Sequence, residues 1–478
     1  MTTGPTILRR CMIWSGDEAL QVGPQQMSTS STAAGDPAAV YPEPTKALYC
    51  LILLFLAYIL SFIDRQILSL LVGPIREEFG ITDFQYSLLQ GAAFALLYSV
   101  AGLPLGRLAD RYSRKLIVSG SVLFWSLMTM GCGVTRDFSQ LFVARMGVGA
   151  GEAGLSPPAY SLILDSFRPE QAGFAMSFYK LGVYVGGGIA LVVGGVLFDY
   201  FSSIGGFDLP FIGHLKAWQL TLISVGAPGL LLSVLLLTIT EPTRKDLVGE
   251  AGKAIQLPIS SVGRFIWVRR RVYLTLFLGS SMLAMAGYGS AAWYPEFLFR
   301  NYGMTKSEAG YSFGMILLTA GSAGVMFGAW MARKLSDRGY KDANIRTIFI
   351  TSLLALPLTV AAPITGDSQM TLLILWPGVM MGSSYLGVMA VAIVVITPNQ
   401  MRGQITAVYI FVTNILGMAI GTSVLAAFTD FLYQDDGLLH YSIATANGLF
   451  YPVAAVLFWY CLAAYRVSFE EAGQWQVE

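Results

Sequence analysis

Residues 53–72 read LLFLAYILSFIDRQILSLLV. At 1.5 Å of rise per residue such a stretch crosses a hydrocarbon core of about 30 Å as one helix. Yet Asp64 and Arg65 lie side by side inside it. An ionised side chain at the bilayer centre costs at least about 2.5–3.5 kcal/mol, so this pair requires partners or a polar cavity.

The rest of the chain shares the apolar character of this stretch. Hydrophobic residues make up 55% and charged residues 12% of 478, and the mean hydropathy is +0.60. Soluble domains carry roughly a quarter charged residues, so the composition predicts an all-α membrane protein. Twelve transmembrane helices are predicted, near 47–72, 85–106, 115–135, 138–164, 172–199, 217–239, 271–299, 308–332, 344–364, 370–396, 403–429 and 441–465. Residues 1–45, rich in Ser, Pro, Gly and Ala, read as a disordered tail. No cleaved signal peptide is expected ahead of the first span, and Met27 is an equally acceptable start. If that tail is cytoplasmic, 22 of the 30 Lys and Arg fall on its side. The positive-inside rule then places both termini in the cytoplasm, with the protein expected in the cell (inner) membrane. Arg65, Arg145 and Lys180 are the cations left within spans.

The net charge of +1 and the lack of any basic tract exclude nucleic acid as an expected partner. Cys11, Cys50, Cys132 and Cys461 have no metal spacing, and His214 and His440 fall in or beside outer connections, so neither metal nor cofactor is expected. A nucleophile with its base and a phosphate loop are equally missing from the sequence, which argues against an enzyme.

The chain repeats itself. FGITDFQYS after the first span returns as YGMTKSEAGYS after the seventh, aligning Gly80 with Gly303. GLPLGRLADR returns as GAWMARKLSDR, aligning Asp110 with Asp337 and Arg111 with Arg338, and PEQAGFAMSFY returns as PNQMRGQITAVY. All offsets lie between 223 and 230, which predicts two six-helix bundles, 46–240 and 271–466, related by a pseudo-twofold repeat. A cytoplasmic linker is expected at 241–270 and a second tail at 467–478.

These residues carry a resemblance. GRLADRYSRK is similar to the loop signature of the major facilitator superfamily, with Gly106, Asp110, Arg111, Arg114 and Lys115 in place and Ser113 where a glycine is usual. Arg145 matches the superfamily's arginine on the fourth helix, and GVYVGGGIALVVGG resembles its glycine-rich fifth helix. Asp64 and Arg65 together with Arg145 and Glu152 are similar to the spinster-like transporters. The resemblance implies the major facilitator fold, a cytoplasmic latch anchored by Asp110, with Asp337 and Arg338 as its second copy, and a sphingosine-1-phosphate-like or other lysolipid cargo.

Placed by rise alone, Asp64 and Arg145 lie at similar depth, roughly 24 and 20 Å from the inner face, and Glu152 and Lys180 lie lower, at about 9 and 12 Å. Asp64 is therefore level with its expected partner Arg145, and Glu152 with Lys180, and in a shared cavity these four and Arg65 are able to trade partners. They serve either as proton-sensitive groups in a shared cavity or as static pairs that hold three helices together. The glycines of the fourth and fifth helices read as close packing or as hinges, with Pro157 and Pro158 able to break the fourth helix. Spans eight to twelve carry no charge well inside, and the seventh carries Glu296 near its outer end, so the cavity is expected to have one charged and one apolar wall.

That combination suits an amphipathic substrate with an ionised head. The expected function is a secondary active transporter, working as a monomer by alternating access and coupled to protons through Asp64 and Glu152, with Arg65, Arg145 and Lys180 binding the head. A facilitative carrier, a multidrug exporter or a non-transporting lipid receptor is the alternative.

Overall fold

The computed structural model describes residues 41–210, 213–244, 259–398 and 401–475. The tail expected at 1–45 therefore lies outside the described residues up to residue 40, and Pro44 already opens a helix. Among the described residues eleven helices are long and apolar enough to cross a membrane: α1 Pro44–Leu70, α2 Asp83–Ala109, α3 Arg114–Cys132, α5 Gln171–Ser203, α6 Ala217–Leu236, α7 Arg270–Tyr302, α8 Lys306–Asp337, α9 Ala343–Ile364, α10 Ser368–Val395, α11 Arg402–Tyr433 and α12 Asp436–Ala472. The remaining expected span, the fourth, is divided into α4a, Phe138–Glu152, and α4b, Ser156–Ser166. The break spans Ala153–Leu155, and Pro157 and Pro158 open α4b, where a missing N–H and fixed φ suit a helix start. Two further expectations shift at their edges. The connector contains a helix, Ile259–Val268, and α12 continues past Arg466.

The sequence repeat is a repeat of local structure. Gly80 ends the short helix Val72–Phe79 at φ 62°, and Gly303 ends α7 at φ 64°, a left-handed conformation that glycine adopts without strain. Two residues later Thr82 forms a capping box with Gln85, and Thr305 forms one with Glu308. Packing repeats as well: α1 lies on α5 and α3 on α6, as α7 lies on α11 and α9 on α12. The protein thus consists of two six-helix bundles.

We term inner the end that carries Pro44 and Arg466, and outer the opposite end. The bundles meet along a seam of glycines in which α5 packs on α8. A Cβ on Gly310 would sit 2.2 Å from the Leu191 carbonyl oxygen, and one on Gly195 2.6 Å from the Lys306 carbonyl oxygen. Gly91 of α2 likewise lies against the Met418 carbonyl of α11. Further toward the inner end the seam opens. Gly173, Ser177 and Lys180 follow Tyr184 and Gly188 along one face of α5, but these three are exposed whereas Gly188 is pressed on α8.

Candidate functional site

The residue that anchors the site is Glu152, the last of α4a, where the helix breaks and its carboxylate turns toward α1. Its Oε2 accepts from Ser61 Oγ at 2.5 Å and from Arg65 Nε at 2.7 Å, and lies 2.7 Å from Arg65 Nη2 in an ion pair. Its Oε1 has no hydrogen-bond partner, and the Glu152 side chain is fully buried. The guanidinium of Arg65 is also stacked among the rings of Phe62, Phe94 and Tyr98, 4.6–4.9 Å from their centroids. Arg65 is therefore held by one carboxylate and an aromatic cage, a strong arrangement in a dry setting.

This geometry corrects the placement by depth. Glu152 meets Arg65, one turn from Ser61 on α1, and not Lys180. The depth estimate misplaced Glu152 because it treated helices as vertical rods starting in common planes, whereas α1 alone is 27 residues long, against about 20 needed to span. The expected Asp64–Arg145 pair also differs in kind. Arg145 Nη1 donates to the backbone carbonyl of Asp64 at 3.2 Å, and Arg145 Nε, Arg145 Nη2 and Asp64 Oδ1 have no partner. Both residues are buried, so two incompletely bonded, opposite charges lie in the same neighbourhood. Lys180 donates to the Tyr160 hydroxyl and lies 4.8 Å from that ring, exposed in the opening below the glycine seam.

Above Lys180, between the bundles, lies a cavity of about 200 Å³. Arg65 is the charged residue on its wall, beside Gln66, Ser69 and Gln90. The opposite wall, expected to be apolar, brings the rings of Tyr288, Tyr294, Tyr385 and Tyr451. Tyrosine was visible in the sequence only as a scattered polar handle. Its convergence depends on three different helices, α7, α10 and α12, which no spacing in the chain reveals. Asp64, Arg145 and Glu152 do not line this cavity; they stand behind Arg65.

The inner-end motif is distributed differently. Arg114 is buried, bonded to Asp165, to Glu241 Oε1 at 3.1 Å, to Ser161 Oγ at 2.7 Å and to the Pro242 carbonyl at 2.7 Å. Partial burial opposes ionisation of Glu241, yet hydrogen bonds from Ser113 and Arg114 hold its carboxyl below the usual range. Lys115 donates to the Leu237 and Ile239 carbonyls at 3.2 Å. These contacts tie α3 to α4b and to the end of α6 within one bundle. Gly106 faces Pro157 of α4b, and Arg111 is exposed. Asp110 directly follows Ala109, on the last turn of a helix that continues to Arg111, and its side chain lies outside the described residues. Asp337 and Arg338 are exposed, with no ion pair to either among the described residues.

At the outer end a second ion network, not anticipated from the sequence, joins the bundles. Arg300 of α7 grips both carboxylate oxygens of buried Asp83 on α2, at 2.7 and 2.8 Å, and bonds Glu296 at 2.8 Å. Glu296 also pairs with buried Lys306 at 2.8 Å, and Arg76 bridges Asp83 and Asp436, each at 2.9 Å. In the sequence Arg76, Arg300 and Lys306 show only topology; the pairs that join the bundles, Arg300 with Asp83 and Arg76 with Asp436, are 217 and 360 residues apart. Asp83, Asp430 and Asp436 cluster there, but two arginines already occupy this cluster.

Twelve helices in two repeated bundles around a central cavity define a membrane transporter, and the chain belongs to the Major Facilitator Superfamily, which it matches over residues 54–422. It is a multi-pass integral membrane protein and not an enzyme. Over 92% of the chain and 98% of the relative, it is 26% identical to an MFS-type efflux pump of Mycolicibacterium smegmatis. Protein spinster homolog 1 of Rattus norvegicus is 30% identical over 60% of the chain and 54% of that protein. Among solved structures, a bacterial homolog to the human lysosomal transporter Spinster, in an inward-facing and unoccupied conformation, superposes with a TM-score of 0.72 at 27% identity, covering 90% of this chain and 98% of that one. The resemblance to spinster-like transporters therefore extends from motifs to the whole fold.

Proposed function

We propose that this protein is a secondary active transporter that moves an amphipathic, anionic, lipid-like substrate by alternating access, coupled to protons, with both termini cytoplasmic. One observation carries this reading: the charged group on the cavity wall, Arg65, is occupied by a carboxylate, Glu152, that has one saturated and one empty oxygen. A proton on Glu152 Oε1 removes the charge that holds the guanidinium. Arg65 is then free to take an anionic head group, and deprotonation expels the head by restoring the pair.

Asp64 and Arg145 behind it extend the network, so that a proton on Asp64 loosens the position of Arg145 on α4a. Lys180, exposed on the inner side, meets the head group on its way to or from Arg65. The tyrosine wall receives the apolar part through ring faces and satisfies polar atoms through hydroxyls. The motif around Asp110 latches the inner end in the opposite state of the cycle. Such a carrier needs no resident cofactor or metal and functions as a monomer.

A second reading has its own support. An aromatic wall facing a single cation also suits an exporter of planar apolar compounds, as similarity to an efflux pump suggests. Proteoliposome flux of labelled lysolipids of graded chain length separates the two. In the lipid reading, affinity rises by up to about 0.8 kcal/mol per buried CH₂ until the cavity is filled, and flux responds to an imposed pH gradient. Affinity indifferent to chain length, together with flux of aromatic compounds, would favour the exporter.

A further inference from the structure

The helix Ile259–Val268 joins the two bundles and ends directly before α7. One face is fixed: Val262 is buried, Phe265 and Ile266 pack against the core, and the helix touches α7 and α11. The other face is unusual for a cytosolic linker, since Trp267 and Val268 are 66% and 67% exposed. Their position explains the exposure. On α7, Val272, Tyr273, Leu276 and Phe277 are buried, while Leu274 and Leu278 are exposed and form the stripe that faces acyl chains. Arg271, Val268 and Trp267 continue this stripe toward the inner end. A tryptophan and arginines one turn beyond the acyl region stand at head-group height.

The charge pattern points to what lies there. Arg264, Arg270 and Arg271 are exposed and make no ion pair among the described residues, and no acidic residue occurs between Glu250 and Glu296. The nearest acids of α12 are occupied, Glu471 by Arg269 at 2.9 Å and Glu470 by Lys341 at 2.8 Å. The Arg270 guanidinium lies 5.5 Å from the Trp267 ring centroid and donates to the Trp267 carbonyl, which keeps the two side chains together. Guanidinium groups match phosphate geometry in a bidentate way, and each basic residue near a membrane surface attracts anionic lipid.

We infer that Arg264, Arg270 and Arg271, with Trp267 as the interfacial anchor, form a binding site for the phosphate head group of an anionic phospholipid in the inner-end leaflet. The bound lipid clamps the linker helix to the start of α7. Because α7 also carries Tyr288 and Tyr294 of the cavity wall, this clamp fixes one end of a helix that must tilt during transport.

Native mass spectrometry of the full chain, released from phosphatidylcholine nanodiscs doped with phosphatidylglycerol, tests the site. The wild type is expected to retain phosphatidylglycerol in preference to phosphatidylcholine. Arg271→Gln should weaken this retention about five-fold, with a similar factor for each further arginine in the triple variant Arg264→Gln/Arg270→Gln/Arg271→Gln. Trp267→Ala should weaken retention with all charges kept. A control with the same charge loss, Lys46→Gln/Arg333→Gln/Lys334→Gln, should retain the lipid as wild type does. Equal retention by the wild type and the arginine triple, or equal loss in both triples, would overturn the site.

Discussion

Glu152 holds two oxygens in opposite situations, one taking two donated hydrogen bonds and a further ion-pair contact, the other none. Truncating it to alanine would strand the Arg65 charge, a loss of about 3–5 kcal/mol for a buried pair. Function and stability are therefore entangled at this residue, and Glu152→Gln, which keeps volume and the Ser61 contact, is the cleaner probe. Glu241 permits an independent test of charge at the inner end. Its carboxyl is held below the ordinary value by Ser113 and Arg114, so its stabilising effect is present above the unfolded value near 4.5 and lost as pH falls through the lower folded value. The difference in thermal stability between wild type and Glu241→Gln should accordingly be full at neutral pH and vanish in acid; a difference independent of pH would show that the ionised form contributes nothing. The sequence made Asp64, Arg65, Arg145 and Glu152 conspicuous, because charge is scarce in lipid. It did not reveal which pair forms, because a side chain of Arg length reaches across more than a helical turn and the relative height of two helices is set by tilt.

At the scale of elements, glycine content was legible and its alternatives were not. Packing and hinge bending share one composition, and the structure shows the packing directly: Gly310 and Gly195 bring α5 and α8 into backbone contact, and Gly91 does so for α2 and α11. A methyl group on Gly310 would stand 2.2 Å from a carbonyl oxygen, and backbone cannot turn aside as a side chain does. Gly310→Ala should therefore push the bundles apart at the outer end and favour molecules open on that side. Gly102→Ala on α2, with nothing within 4 Å of the added carbon, should leave the population unchanged. Spin-label distances across the outer loops measure both; an unmoved distance distribution in Gly310→Ala would contradict the seam. The division of the fourth span was foreshadowed by Pro157 and Pro158, although the break falls just before them, at Ala153–Leu155, and sets Glu152 on a helix end.

For the whole molecule, repeated capping boxes and glycine turns made the two-bundle architecture readable from three short echoes. The outer network was hidden, because its ion pairs join residues as distant as Asp83 and Arg300, and no local pattern encodes them. This network and the glycine seam close the same end. Asp83→Asn leaves Arg300 and Arg76 without their shared buried anion and should raise the outer-open population while leaving the cavity intact; substrate affinity unchanged with a shifted distance distribution is the expected pair of results, and an unshifted distribution would remove the network from gating. In the cycle proposed above, the cargo head group and the Glu152 carboxylate compete for Arg65, so a proton on Glu152 favours cargo. The most direct measurement is lysolipid flux in proteoliposomes against an imposed pH gradient, for wild type and Glu152→Gln. Wild-type flux should follow the gradient, and Glu152→Gln, which mimics the protonated state, should bind lysolipid and exchange it with no dependence on the gradient. Equal gradient dependence in the two proteins would contradict the account and leave the Arg65–Glu152 pair as a structural tie between α1 and α4a.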